Sequence, residues 1–178
     1  MTAGAGGEEG GVATQARKVA SMIAQVIVLA LIAAAFCVRI PQVSGPSMEP
    51  RIQPGQVVLI NTLAYRFGSP ARGQIVAFHH DAPTPETYIK RIIGLPGDRI
   101  AIAGGIVSVN GTPLSEPYVR FRNTQTTVPL TVPAGSVYVL GDNRLNSDDS
   151  RDFGALALHD VIGQAVAALW PFQELAAP

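Results

Sequence analysis

Two residues of this 178-residue chain could together break an acyl bond. Ser47 stands in Ser44-Gly45-Pro46-Ser47-Met48-Glu49-Pro50, just beyond a charge-free apolar stretch; Lys90 stands in Tyr88-Ile89-Lys90-Arg91-Ile92-Ile93, a strand-like run closed by Pro96-Gly97. A serine hydroxyl becomes a strong nucleophile when a neighbouring base takes its proton, and a lysine kept neutral by apolar surroundings can be that base. Side chains alternate along an extended run, so Tyr88, Lys90 and Ile92 share one face while Ile89, Arg91 and Ile93 share the other. Such neighbours disfavour the ammonium form and can bring a lysine pKa down to about 7 or 8. Arg91 cannot serve, because a guanidinium stays protonated.

Taken singly, each residue has an ordinary reading: Lys90 as a solvated strand lysine, Ser47 as a turn residue beside proline. A third segment changes the balance. Gly141-Asp142-Asn143-Arg144-Leu145-Asn146-Ser147-Asp148-Asp149-Ser150-Arg151-Asp152-Phe153-Gly154 follows an apolar run, is dense in hydrogen-bonding side chains and has a glycine at each end. It lacks the alternating carboxylates, central glycine and closing glutamate of an EF-hand loop. His79, His80 and His159 show no chelating spacing, and the single cysteine, Cys37, leaves no disulfide within the chain and no multi-cysteine zinc site. The chemistry read here needs no metal or cofactor. Net charge is zero with both signs interspersed, so nothing argues for a nucleic-acid partner.

The elements that must position these residues divide in two. Residues 1–17 are rich in Gly, Ala and Glu and read as a disordered tail. Residues 18–39 read as a transmembrane anchor: from Val19 to Val38 the only polar side chains are Ser21 and Gln25, and about 20 helical residues reach about 30 Å, the thickness of a bilayer's hydrocarbon core. The alternative, a cleaved signal peptide, has a shorter apolar core of about 7 to 15 residues. Basic residues nearly balance across the span, with Arg17 and Lys18 before it and Arg39 and Arg51 after it. A short tail ahead of a first helix points to a cytoplasmic N-terminus, which puts Ser47 outside, close to the lipid.

Residues 40–178 switch to a β pattern. Short β-rich runs at 57–60, 74–78, 88–93, 99–103, 106–109, 136–140 and 161–170 are separated by Gly, Pro and Asn clusters. Gly104-Gly105 and Asn110-Gly111 mark tight hairpin turns. The fold class expected is mainly β, an antiparallel catalytic domain behind one N-terminal membrane helix. No stretch beyond the anchor reads as a long amphipathic helix.

Ser47-Met48-Glu49-Pro50, Arg72-Gly73-Gln74-Ile75-Val76-Ala77-Phe78, Tyr88-Ile89-Lys90-Arg91 with Gly94-Leu95-Pro96-Gly97-Asp98, and the Gly141 to Gly154 loop resemble, in order, four successive boxes of the type I signal peptidases. The resemblance runs from the anchor to about Pro171. It implies a membrane-bound serine endopeptidase on the outer face of the plasma membrane, cleaving signal peptides from exported preproteins after Ala-x-Ala-type sequences, with those preproteins and the lipid bilayer as partners. By the same resemblance Ser47 is the nucleophile, Lys90 the general base and Ser147 the hydroxyl that orients the lysine. Met48 and Tyr88 belong to the substrate groove, Asp142, Asp149 and Arg151 to the structure around the site, and a small inserted β region to about 99–133. Two positions depart from the pattern. Gly45 stands where some members carry an oxyanion-hole serine, leaving a second donor unassigned, and Gln74 stands where an acid is common. Other Ser-Lys proteases, and a tethered β module that binds exported chains without cutting them, stay open on the residues alone. No pattern sets an oligomeric state.

Overall fold

The computed structural model describes residues 8–80, 87–169 and 172–175. The chain falls into two units, residues 1–37 and 38–178.

The first unit is the helix α1, Glu8–Cys37. Within it Ala13–Ile32 is long and apolar enough to cross a membrane. Its large apolar side chains are exposed, Leu29 at 66% and Leu31 at 65%. The helix begins ten residues ahead of residue 18, where the anchor is expected to start. Helix nucleation is costly but extension is not, so an apolar segment that is already helical extends upstream through good formers such as Ala13, Gln15, Ala16 and Arg17.

The second unit is built on β strands. After β1 (Val38–Arg39) the chain runs through the turns that carry Ser47 to β2 (Val58–Asn61), the one-turn helix α2 (Ala64–Phe67), β3 (Ile75–His79) and β4 (Thr87–Gly94). Then come β5 (Arg99–Ala103), β6 (Ile106–Val109), β7 (Thr112–Pro113) and β8 (Thr127–Thr131). β9 (Ser136–Leu140), the short helix α3 (Ser150–Phe153), β10 (Leu156–Ala157), β11 (Val161–Leu169) and β12 (Phe172–Glu174) complete the order. Every recorded strand pair is antiparallel. The larger sheet has the order β1-β2-β11-β3-β4-β9-β10 with β12 on β11, and the smaller one the order β7-β6-β5-β8.

The seven β runs read from the sequence all appear as strands, within a residue or two at their ends. The 161–170 run ends at Leu169, and Trp170 lies outside the described residues. Gly104 and Gly105, at φ 55° and 82°, turn β5 into β6 with Ala103 opposite Ile106, a geometry that glycine adopts without a Cβ clash. The sequence reading lacks β8. Its residues Thr127, Val128, Pro129, Leu130 and Thr131 sit on a sheet edge with little burial, and so carry no alternating apolar signal. β1, β7 and β10 are two residues long, below what periodicity can register.

The larger sheet is buried on both faces. Ile75, Ala77 and Ile89 pack with Met48, Ile52 and Ile60 in one core cluster; Val76, Phe78 and Ile92 pack with Val137, Val139 and Leu156 in another. Ile93, Tyr138 and Leu140 join the smaller sheet's Ile100, Ile102 and Val107 in a third. β4 contributes to all three, so every residue from Ile89 to Gly94 is buried. This gives Lys90 its apolar setting: a charged side chain on an inner strand has little water to turn to.

Candidate active site

Lys90 Nζ lies 2.8 Å from Ser47 Oγ. The register places Lys90 opposite Val76 and leaves its residue 3% exposed. Burial is the largest influence on its amine and lowers the pKa from 10.5 to about 8, with Asp149 and Asp148 pulling upward and Arg151 adding to the downward pull. The Tyr88 ring centroid is 5.5 Å from Nζ. Ser47 sits in a tight run of turns: Glu49 N donates to the Pro46 carbonyl at 3.1 Å and Ile52 N to the Met48 carbonyl at 2.9 Å. Buried Met48 and Ile52 anchor that run in the core, so the hydroxyl is presented from a fixed base.

The Gly141–Gly154 loop wraps this pair. Asn143 donates its backbone N–H to the Ser47 carbonyl at 2.9 Å and its Nδ2 to the Pro46 carbonyl at 3.3 Å. Ser147 Oγ donates to Asp149 Oδ2 at 2.7 Å. Fully buried Asp149 also accepts from Gly141 N at 2.9 Å and from Arg151 Nε at 2.7 Å, and it forms a capping box with Asp152 at the start of α3. Arg151 in turn reaches the Arg144 carbonyl and Gln125. Each charged group here is matched before it is buried, as the desolvation cost requires.

Gly141 is the point of closest approach. A Cβ there would lie 2.6 Å from the Ser47 carbonyl and closer still to Ser147 Oγ. Both neighbours are tethered by hydrogen bonds, so neither can yield cheaply. Gly141→Ala is expected to cut turnover by at least about a hundredfold, since a shift of about 1 Å at reacting groups has that effect, while costing about 1–3 kcal/mol of stability as overpacking. Turnover and thermal unfolding of the full-length variant check this; near-normal turnover would show that the Ser147 and Ser47 segments can move apart freely.

A groove of about 490 Å³ leads to the pair. It is lined on one side by residues 41–48 and on the other by Thr87, Tyr88, Ile89 and Lys90, with Asn146 and Asp148 from the loop. β3 pairs with β4 from Thr87 to Arg91, but β9 pairs with β4 only from Arg91 onward. The second edge of Thr87–Lys90 is therefore open toward the groove.

Of the site residues expected from the sequence, Ser47, Met48, Tyr88 and Lys90 line this groove, Ser147 is held by Asp149, and the side chains of Asp142, Asp149 and Arg151 are buried in ion pairs. Asp142 accepts from Arg91 Nε at 2.8 Å and from Nη2 at 2.6 Å, with both side chains fully buried and the guanidinium stacked on Tyr118. Sequence reading passed over Arg91 as merely unable to be the base. The available signal was its place in an apolar strand, where an obligate cation demands a buried carboxylate. Asn143, Gly141 and the buried Arg144–Glu116 ion pair were also missed. Their roles depend on contacts far apart in sequence. Gln74 accepts hydrogen bonds from Ala71 N and Tyr65 Oη, both at 3.0 Å.

A mostly antiparallel β unit with a serine hydroxyl against a buried amine has the make-up of a hydrolase. Comparison with known proteins narrows this. The family described as "Signal peptidase, peptidase S26" matches residues 16–170. Signal peptidase I of Bacillus caldolyticus is 40% identical over 148 residues, covering 75% of this chain and 80% of that protein. Signal peptidase I of Leptolyngbya laminosa is 36% identical over 156 residues, covering 84% and 77%. Signal peptidase IB of Staphylococcus aureus is 32% identical over 173 residues, covering 85% and 88%. A crystal structure of a signal peptidase I from Enterococcus faecalis V583 aligns with a TM-score of 0.46 at 34% identity, covering 55% of this chain and 97% of that one. This chain belongs to the signal peptidase family, peptidase S26, and is a serine peptidase.

Proposed function

We propose that the chain is a membrane-anchored endopeptidase that removes signal peptides from exported preproteins by a Ser47–Lys90 dyad. The observation that carries this is the 2.8 Å contact between a serine hydroxyl and an amine whose burial brings its pKa to about 8. In the neutral form Lys90 accepts the Ser47 proton as Oγ attacks the carbonyl of the scissile bond. The backbone N–H of Ser47 is one donor to the oxyanion. The protonated amine then gives its proton to the leaving amine, and the regenerated neutral amine activates the water that hydrolyses the acyl-enzyme. Ser147 donates to Asp149 and so keeps its lone pairs available to an N–H of Lys90, the arrangement needed to orient the amine. Asp142, Asp149 and Arg151 hold the loop from below.

The substrate enters as an added strand on the open Thr87–Lys90 edge, where alternate side chains of an extended peptide face the enzyme. Met48 and Tyr88 shape that surface, which suits small residues of the Ala-x-Ala kind. The α1 helix supplies the anchor, as a single span with its N-terminus cytoplasmic and the catalytic unit on the outer face of the plasma membrane.

The test uses the full chain in detergent and a fluorogenic Ala-x-Ala peptide. The expected result is turnover with kcat/KM rising through an acid limb centred near pH 8, because only the unprotonated fraction of Lys90 can accept a proton and that fraction is lost as pH falls. Binding without turnover, or a rate independent of pH between about 6 and 9, would exclude this mechanism.

A further inference from the structure

The catalytic loop holds four carboxylates, and they are employed differently. Asp142 is locked by Arg91, Asp149 by Arg151, and Asp152 accepts the Asp149 N–H in the capping box. Asp148 is exposed and takes part in none of the loop's hydrogen bonds or ion pairs, yet it lines the groove beside Ser47, Tyr88, Lys90 and Asn146. Among the described residues the one other charged side chain lining that groove is Lys90. Proton transfer requires Lys90 to be neutral. In the working state the charge on the groove's described lining is therefore the Asp148 carboxylate.

We propose that Asp148 makes the groove charge-selective: it favours extended chains bearing a cationic side chain beside the bond to be cut and disfavours those bearing a carboxylate there. The inference rests on the peptidase reading above and adds a substrate preference to it. A carboxylate that no hydrogen bond or ion pair among the described residues holds has its field available to the bound chain. Apolar side chains on both sides of the groove, Met48 on one and Ile89 on the other, weaken screening by water there. Asp148 also acts on Lys90 directly, stabilising the ammonium together with Asp149 and against Arg151.

The experiment compares Ala-x-Ala peptides carrying Lys, Gln or Glu at the middle position and, separately, at the first residue after the cut, all with the full chain in detergent. At low salt the Lys-to-Glu ratio of kcat/KM is expected to be roughly fivefold or more at one of these positions, the product of a modest gain for one charge and a similar loss for the other. The ratio should shrink at about 1 M salt, where the screening length is about 3 Å. Asp148→Asn should lower the ratio at least about threefold and move the acid limb to lower pH, while Asp148→Glu should keep the ratio. A ratio near one at both positions, or one unchanged by Asp148→Asn, overturns the charge selection and leaves the peptidase standing. Failure of every peptide to be cleaved by the unaltered chain instead overturns the peptidase reading, and this inference with it.

Discussion

Replacing Lys90 with Met is expected to lower processing by at least about a thousandfold and, at neutral pH, to make the protein more stable. Both effects come from one feature, the burial of an amine against Tyr88, Val76 and the Ser47 segment. On the proposed mechanism, loss of Lys90 leaves the Ser47 hydroxyl with no group to take its proton. The stability effect has a definite sign. The folded-state pKa is depressed from 10.5 to about 8, so below pH 8 the unaltered fold carries the full cost of either desolvating or deprotonating the amine. Between about 8 and 10.5 the unfolded chain binds more protons than the folded one, so stability of the unaltered protein rises with pH and the cost fades. A methionine has no proton to lose. The stability advantage of Lys90→Met is therefore expected to be on the order of 3 kcal/mol at pH 7 and to close as pH approaches 10.5. Denaturant midpoints measured against pH, alongside peptide turnover, check both halves. A variant that still processes substrate would remove Lys90 from the mechanism; a stability difference that ignores pH would show that Lys90 is not protected from water as its 3% exposure requires.

The second large effect concerns the ion pair below the site. Asp142→Ala leaves the Arg91 guanidinium at 0% exposure without its carboxylate, keeping only its Nη1 bond to the Gly73 carbonyl and its stack on Tyr118. An uncompensated buried charge of this kind costs about 3–5 kcal/mol, which for a unit of this size lowers Tm by roughly 10 °C or more. Turnover should fall with it, because Asp142 adjoins both Gly141 and Asn143, whose backbones touch the Ser47 segment. The double variant Arg91→Met with Asp142→Leu is expected to recover much of the stability, since two apolar side chains bury without a desolvation penalty. Calorimetry of the three proteins in detergent tests this. Equal losses in single and double variants would mean that packing at these positions, and not the unmatched charge, sets the cost.

Much of the β framework was legible before any coordinates, and the reason lies in period. Ile75 to Phe78, Tyr88 to Ile93 and Ser136 to Leu140 are short runs rich in β-branched and aromatic residues, set apart by segments that hold Gly or Pro, and each forms an inner strand. β8 shows where such reading stops: an edge strand with Val128 88% exposed has no face to declare. The helix start at Glu8 shows another limit, because propagation from an apolar segment blurs its upstream end.

The site divides along the same line. Residue type decides which groups can be a nucleophile or a base, yet Ser47 and Lys90 read singly as ordinary residues and stand out only together with the polar loop. Residue type alone does not say which acids are structural and which line the groove; only the resemblance to the family set Asp142 and Asp149 apart as structural. Asp142, Asp148 and Asp149 are the same side chain within eight residues of one another, and only the fold sends two of them to buried arginines and leaves the third in the groove. Composition and period along the chain mark the apolar helix and most of the strands, and residue type marks which groups are able to react, all of them local properties. Only the tertiary structure decided that Ser47 and Lys90, 43 residues apart, lie within a hydrogen bond and that the amine is dry enough to be a base. Distance and desolvation arise when remote segments pack together, and no window along the chain contains them.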